Sequence, residues 1–243
     1  MKEAIKAQLH RLGLYSIVRD VYRSLHRGHR EERRLRQRFF AQLVAPGDLC
    51  YDIGANVGQT TEALLACGAS VVALEPNPHC LPTLKHQFGR DPRVTLVQAA
   101  VGRAPGRADL HFRGSSATAS LRDDWQRGDD KTVEVNVVTL DNLMARHGVP
   151  RLLKVDVEGY ELEVFLGLGR PIPIVYFEMH ASELETVAKI VDHLRSLGGI
   201  EGINVISEDH SAWLWSDWSP GDAFMARLSS APLVANIVVR MSC

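Results

Sequence analysis

The sequence predicts an α/β fold of the Rossmann-like type, with a mostly parallel seven-stranded sheet, helices on both faces and a small antiparallel insert. Three observations carry this prediction. Short apolar runs alternate with stretches of helical spacing, as in strands joined by right-handed crossovers. A glycine-bearing loop follows the first run. The 243 residues, 45% of them hydrophobic, suffice for one such domain with an appendage.

Residues 1–45 are predicted to form a basic helical extension, and residues 46–243 the α/β domain. Apolar positions in the extension recur at helical spacing with arginines between them. The extension contains 11 Lys/Arg and 4 Asp/Glu, whereas the rest of the chain contains 17 and 25. Four interpretations remain open for it: solvated amphipathic helices, a lid on the domain, a dimer contact, or docking on an anionic membrane surface.

The first half of the domain alternates strictly between strand and helix. A turn at residues 45–48 is followed by the predicted strands Leu49–Ile53, Ser70–Leu74 and Val94–Val97. The predicted helices between them are Thr60–Cys67 and Pro78–Phe88, each followed by a glycine that ends it. Helices of this length between strands imply parallel pairing.

The middle of the chain departs from this rhythm. Gly106–Phe112 and Val133–Val138 alternate as paired antiparallel strands do, and the polar stretch Arg113–Lys131 between them is predicted to be a lid or a disordered surface loop. The α/β alternation then resumes. Its predicted strands are Leu152–Val155, Ile172–Phe177, Ile203–Ile206 and Leu233–Val239, the last two as a hairpin, and its predicted helices are Tyr160–Leu166 and Glu183–Leu197.

The loop after the first strand is the strongest sign of a nucleotide site. Glycines let the backbone approach a ligand, and the following helix offers its unpaired N–H groups. The spacing Gly54-x-x-x-Gly58 is not the GxGxxG arrangement of dinucleotide sites. Asp52, at the strand end, suits a cationic ligand and would repel a phosphate. The loop therefore favours S-adenosyl-L-methionine over NAD, with Asn56 and Thr60 as further predicted contacts.

The next two strands end in residues that suit the nucleoside. Glu75 follows the second strand, where an acid accepts hydrogen bonds from ribose hydroxyls in Rossmann-like sheets. Pro76 is then expected to flank the adenine. Ala99 and Ala100 follow the third strand and leave room for the edge of the base.

Three segments resemble the FkbM-type S-adenosylmethionine-dependent methyltransferases: 51–58 (YDIGANVG), 72–78 (VALEPNP) and 154–161 (KVDVEGYE), the last being the most specific. The segment 138–143 (VTLDNL) is also similar, and the resemblance spans roughly residues 49–180. It implies a class I methyltransferase fold with S-adenosyl-L-methionine as cofactor. It also implies O-methylation of hydroxyl or carboxyl groups on sugars, glycolipids or secondary metabolites.

Charged residues after the fourth and fifth strands are the candidate catalytic groups. Lys154, Asp156 and Glu158 share alternation parity and would lie on one side of an extended strand. Asp156 is expected to hold the cofactor's amino end or the acceptor hydroxyl, Glu158 to act as base, and Lys154 to pair with one of them. Glu178 and His180 share parity on the next strand, and His180 is the alternative base.

Structural interpretations stand beside these chemical ones. The pairing of Lys154 could be purely structural, Glu178 could cap the next helix, and the carboxylates could instead collect a hard divalent cation, although no metal site is predicted. The tryptophans at positions 213, 215 and 218 could form a stacking platform for sugars or pack internally.

Composition limits the partners and the compartment. The acidic body argues against a nucleic-acid surface, so the predicted acceptor is a small molecule or glycan. Cys50, Cys67, Cys80 and Cys243 lack the spacings of metal sites, and the N-terminus lacks the apolar segment of a secretory signal; both favour the cytoplasm. A nucleic-acid methyltransferase and a non-catalytic cofactor-binding module are the alternatives, and the oligomeric state is open.

Overall fold

The structure is a computed structural model that describes residues 27–113, 115–122, 131–180, 183–207, 210–228 and 234–242. Residues 1–26, which make up most of the predicted extension, lie outside the described residues. So do residues 123–130 of the predicted lid. Within them, no helix has the length and apolarity needed to span a bilayer.

The described part of the chain contains eleven strands and seven helices. The strands are β1 (Leu49–Ile53), β2 (Ser70–Leu74), β3 (Val94–Val97), β4 (Ala100–Val101), β5 (Gly106–Arg113), β6 (Ser115–Ser120), β7 (Lys131–Val138), β8 (Leu152–Val155), β9 (Ile174–His180), β10 (Ile200–Ile206) and β11 (Val234–Met241). The helices are α1 (Arg27–Phe40), α2 (Gln59–Ala66), α3 (Leu81–Phe88), α4 (Leu140–His147), α5 (Glu161–Phe165), α6 (Leu184–Leu197) and α7 (Phe224–Leu228).

The strands form a main sheet and a small second sheet, which confirms the predicted architecture. In the described residues the main sheet has seven strands in the order β10-β11-β9-β8-β1-β2-β3, and only β11 runs antiparallel to its neighbours. The second sheet has the order β4-β7-β5-β6 and pairs β5 antiparallel with both β6 and β7. Because β1 lies between β2 and β8, their carboxyl ends form one edge, where an open sheet binds its ligand.

Helices cover both faces of the main sheet, as the buried strands require. Alternate residues of β1 face opposite sides, so Cys50 belongs to the core under α1 and α2, while Tyr51 and Ile53 belong to the core under α4 and α6. Phe39 and Phe40 are buried at the end of α1. The described part of the basic extension is therefore packed on the domain through two aromatic anchors.

The structure corrects three of the predicted features: the start of a helix, the form of a loop and the connection between two strands. Helix α3 begins at Leu81 rather than Pro78, because the Asn77 side chain accepts a hydrogen bond from the His79 amide and holds residues 77–79 in a turn. The predicted loop between β5 and β7 contains a strand, β6. The closing strands β10 and β11 are antiparallel neighbours, but α7 lies between them, so they are not a hairpin.

Candidate active site

The loop after β1 passes close to the end of β8. Gly54 has a φ of 75°, and a Cβ atom there would lie 1.8 Å from the backbone oxygen of Asp156. The amide of Gly54 donates to the carbonyl of Leu74 at 3.0 Å, which ties the loop to β2 as well. Only glycine can therefore occupy this crossing point between three strand ends.

A buried ion-pair network lies under this loop. Asp52 is fully buried, and its carboxylate accepts a hydrogen bond of 2.6 Å from the Thr61 hydroxyl. The Lys154 Nζ atom lies 3.1 Å from Asp52 Oδ1 and 3.4 Å from Asp156 Oδ2, and it donates to the Gly54 carbonyl at 2.8 Å. Burial by itself would lower the pKa of Lys154, but Coulombic attraction to Asp156 and Asp52 outweighs it, so the pKa lies above its ordinary value. Lys154 is therefore a charged structural link between β1 and β8.

Glu75 joins the two sides of the loop at the end of β2. Its Oε2 atom accepts the Asn56 amide at 2.6 Å, its Oε1 atom accepts the Asn77 amide at 2.8 Å, and 6% of the residue is exposed. Burial raises the pKa of Glu75, although both amides oppose the shift. Each carboxylate oxygen retains an acceptor position for a further donor.

These strand ends border an open cleft, and the empty space in the cleft and its solvent-filled mouth is about 640 Å³. The predicted site residues that line it are Gly54, Asn56, Glu75, Pro76, Ala99, Ala100, Asp156 and Glu158. The lining residues that sequence reasoning missed are Ile53, Asn77, Val101, Leu110, Ala119, Ser120, Leu121, Val157 and Tyr160.

Of the predicted site residues whose side chains the structure describes, five do not line the cleft: Asp52, Gly58, Thr60, Lys154 and Glu178. Asp52 and Lys154 neutralise each other below its floor. Gly58, with a φ of 87°, is needed for packing, since a Cβ atom there would lie 2.3 Å from the Phe88 ring. Thr60 is the second residue of α2 and is absent from the lining. Asp52, which was expected to face the cationic ligand, is thus fully buried and paired with Lys154, whereas Asp156 and Glu158 line the cleft.

The chain turns sharply after β8 instead of staying extended. The strand ends at Val155, Glu158 adopts a φ of 56°, and Gly159 a φ of 89°. Glu161, buried at the first position of α5, accepts the amides of Val157 at 3.0 Å and Gly159 at 3.2 Å. The predicted single row of Lys154, Asp156 and Glu158 is consequently broken. Glu161 was missed, although an acid directly after a Glu-Gly turn is a signal for such backbone capping.

The surroundings of the Glu158 carboxyl group bring its pKa close to neutral pH, as a base in a catalytic site requires. Burial, followed by repulsion from Asp156 and Glu178, raises its pKa to about 7, and Lys154 opposes the shift. Glu161 also has a pKa raised to about 8, chiefly by burial, but it is engaged with two backbone amides. A half-ionised carboxyl group in a cleft is a candidate acid–base group.

The second predicted pair of catalytic residues lies on β9. Glu178 is half-buried, close enough to raise the pKa of Glu158, and opposite Asn236 on β11. The residue directly before α6 is Glu183. His180 ends β9, and its side chain lies outside the described residues. Among the described residues, no group of three or more His, Cys, Asp or Glu side chains is arranged to hold a metal ion.

The antiparallel insert supplies the wall opposite the strand ends. Leu110 of β5 and residues 119–121 line the cleft. Ser120 donates to the Glu158 carbonyl at 2.8 Å, and the Arg122 guanidinium donates to the Gly159 carbonyl at 3.4 Å. The alternation in β5 predicted the strand but not this contact, because nothing local in the sequence pairs residue 120 with residue 158.

The tryptophans cover the outer edge of β10. The backbone of Trp213 forms an isolated antiparallel β-bridge with Ile206, and its ring packs against Phe39. The Arg227 guanidinium lies 4.4 Å from the Trp215 ring centre, and the Arg240 guanidinium lies 3.8 Å from that of Trp218. An arginine thus stacks on Trp215 and another on Trp218, while Trp213 packs against Phe39, so each of the three rings has a packing contact within the protein.

Comparison with known proteins identifies relatives of this arrangement. Residues 52–200 match the family model described as "Methyltransferase FkbM domain". The hexuronic acid methyltransferase AglP of Haloferax volcanii is 28% identical over 173 residues, which are 69% of this chain and 71% of that protein. The ribosomal RNA small subunit methyltransferase A of Anaeromyxobacter sp. strain K is 38% identical over 82 residues, which are 33% of this chain and 28% of that protein.

One solved structure resembles most of the chain. The TehB-like SAM-dependent methyltransferase of Corynebacterium glutamicum superposes with a TM-score of 0.48 at 11% identity, covering 86% of this chain and 88% of that one.

Proposed function

The chain belongs to the FkbM family of methyltransferases and uses S-adenosyl-L-methionine; from that premise we propose that it methylates an oxygen atom of a sugar or sugar-bearing acceptor. The observation that carries the proposal is Glu158, a cleft-lining carboxyl group whose pKa is raised to about 7. A hydroxyl acceptor must lose its proton during transfer, so it needs a base that is ionised at neutral pH. The relative AglP, named a hexuronic acid methyltransferase, supports the sugar class.

The lining residues fit the cofactor. Glu75 offers its remaining acceptor positions to the ribose hydroxyls, and Pro76 with Ala99 forms a narrow apolar wall for the adenine. Asp156, with 38% of its side chain exposed, is the carboxylate available to the amino group and the sulfonium. When bound, the cofactor supplies an electrophilic methyl group on a sulfonium leaving group.

Side chains of the protein would orient the acceptor, take up its proton and exclude water. Glu158 orients the acceptor hydroxyl and takes its proton onto a carboxylate oxygen. The Lys154 ammonium pairs with Asp156 at 3.4 Å and holds that carboxylate at the end of β8, beside the cleft. Leu110, Leu121 and Tyr160 are among the apolar lining residues, which limit the access of water.

Two measurements test this proposal. Calorimetry should detect S-adenosylhomocysteine binding to the purified chain. Methyl transfer from isotopically labelled S-adenosylmethionine should then be found with glucuronic acid glycosides or neutral glycosides, and mass spectrometry should place the methyl group on oxygen. Glu158→Gln should reduce kcat by about 100-fold to 10,000-fold, the contribution of a positioned base.

The matched control is Glu163→Gln on α5, because Glu163 pairs with Arg103 and does not line the cleft. It should keep the kcat of the unchanged chain. Transfer to RNA but to no saccharide, or equal activity of Glu158→Gln and the unchanged chain, would overturn the proposal.

A further inference from the structure

The turn that carries Glu158 is held from two sides. On one side, the Asp156 amide donates to the Ile53 carbonyl of β1 at 3.1 Å, and the amides of Val157 and Gly159 donate to Glu161 of α5. From outside, the carbonyls of Glu158 and Gly159 accept hydrogen bonds from the insert. The insert therefore holds the turn through two backbone carbonyl groups, those of Glu158 and Gly159.

Glu158 needs such support because of its backbone conformation. A φ of 56° is uncommon for a residue with a side chain and persists where the surrounding structure holds it. This conformation ends the extended course of β8, so the position of the carboxyl group depends on the turn. Loss of the outer contacts would let the turn relax and shift the Glu158 carboxyl group from its place in the cleft.

The insert is built to make these contacts. Ser120 ends β6, is 2% exposed, and its hydroxyl bonds both the Glu158 carbonyl and, at 3.2 Å, the amide of Arg122. Arg122 also forms a 2.6 Å ion pair with Glu183, the residue before α6. One side chain thus connects the turn after β8 with the segment after β9. Ser120 and Arg122 both lie at the carboxyl end of β6, where residues 119–121 line the cleft.

We propose that Ser120 and Arg122 are positioning residues that clamp the insert onto the Glu158–Gly159 turn and thereby aim the Glu158 carboxyl group into the cleft. This inference rests on the proposed role of Glu158 as the base. It assigns the antiparallel insert a part in the reaction beyond enclosing the cofactor.

A binding experiment tests the clamp without an acceptor. S-adenosylmethionine carries a sulfonium charge that S-adenosylhomocysteine lacks, so the ratio of their affinities reports negative charge at the reacting end of the cleft. As pH rises from 6 to 8.5, ionisation of Glu158 should raise the preference for S-adenosylmethionine by about tenfold, the effect of one charge pair in a partly solvated site. Glu158→Gln should remove most of this gain.

The clamp variants are Ser120→Ala and Arg122→Gln, each measured by calorimetry across the same pH range. We expect the pH-dependent gain to fall below threefold in both, and Arg122→Lys to restore part of it. The control is Arg107→Gln, which breaks an exposed ion pair with Glu134 in the same insert and should keep the full gain. Thermal unfolding of each variant identifies any that does not fold, and the other position then decides.

The outcomes separate the two proposals. A full pH-dependent gain in both folded clamp variants would overturn the clamp while leaving Glu158 as the base. If the unchanged chain and Glu158→Gln show the same pH dependence, the proposed base fails. If the unchanged chain binds neither nucleoside, the assignment of the cleft fails with it.

Discussion

Removing the buried cation Lys154 should destabilise the protein far more than removing a surface cation. Lys154→Met keeps the length of the side chain but leaves Asp52, which is fully buried, without its partner at 3.1 Å. Asp156 loses the same partner but is 38% exposed and can be solvated. The cost therefore arises mainly at Asp52, and breaking one side of a buried pair costs about 3–5 kcal/mol of unfolding free energy.

The pH range of this effect follows from the direction of the pKa shift. The pKa of Lys154 lies above its ordinary value of 10.5, so the contribution of the pair is complete below that ordinary value. It is lost only as the pH rises through the higher folded-state pKa. The destabilisation by Lys154→Met should therefore be fully present at neutral pH, where urea unfolding can measure it as a shift of the midpoint at constant slope.

A matched control and a double variant make the reasoning refutable. Lys189→Met breaks an exposed pair with Glu185 and should cost about 0.3–0.5 kcal/mol. Asp52→Asn combined with Lys154→Met removes both charges and should recover about 2–3 kcal/mol relative to the single variant. If Lys154→Met costs no more than Lys189→Met, or the double variant recovers nothing, the network is not the electrostatic link described above.

The other predictions concern the cleft and its turn. Gly54→Ala should weaken S-adenosylhomocysteine binding by about 100-fold, because the Cβ atom would displace the Asp156 carbonyl; calorimetry of Gly47→Ala, which has a φ of 91° and open space around it, is the control. The pH profile of kcat/KM for S-adenosylmethionine, which reports groups of the free protein, should rise through about pH 7 and level off above it, since the ionised form of Glu158 is the active one; a flat profile from pH 6 to 8 would contradict this. Glu158→Gln should increase stability at pH 8 but not at pH 4, because a raised carboxyl pKa makes the folded state lose stability as the pH rises from the unfolded to the folded pKa. Glu161→Ala should cost about 2–3 kcal/mol in urea unfolding by leaving two amides unpaired, whereas Glu161→Gln, which keeps an acceptor, should cost less than half as much.

The sequence was sufficient for the main sheet because parallel strands buried on both faces are nearly continuous apolar runs. It was insufficient for β6, whose sequence SSATAS has no apolar alternation and whose strand form depends on pairing with β5. It also placed the start of α3 too early. Nothing in the apolar pattern there reveals that the Asn77 side chain bonds the chain two residues on.

The site shows the same division between local and distant causes. Acids at the ends of β1 and β2 look equivalent in sequence, yet Asp52 lies below the cleft and Glu75 lines it. The difference is made by Lys154, about a hundred residues away, which draws the Asp52 carboxylate into a buried pair. The direction of Glu158 likewise depends on Ser120 from the insert. Such contacts between distant segments fix which acids face a ligand, and no local pattern encodes them.

The charge arrangement implies that cofactor binding and ionisation of the base are coupled. With Asp52 neutralised by Lys154, the negative groups that act on Glu158 are Asp156 and Glu178, and their repulsion contributes to holding its pKa near 7. A cation placed beside these carboxylates must lower that pKa, and by linkage the ionised Glu158 must bind a cation more tightly than its protonated form does. In the proposed reaction, Glu158 is therefore most strongly ionised while the sulfonium is present. S-adenosylhomocysteine lacks that charge and would not lower the pKa of Glu158 in this way, so the carboxyl group would hold a proton more readily beside it than beside S-adenosylmethionine.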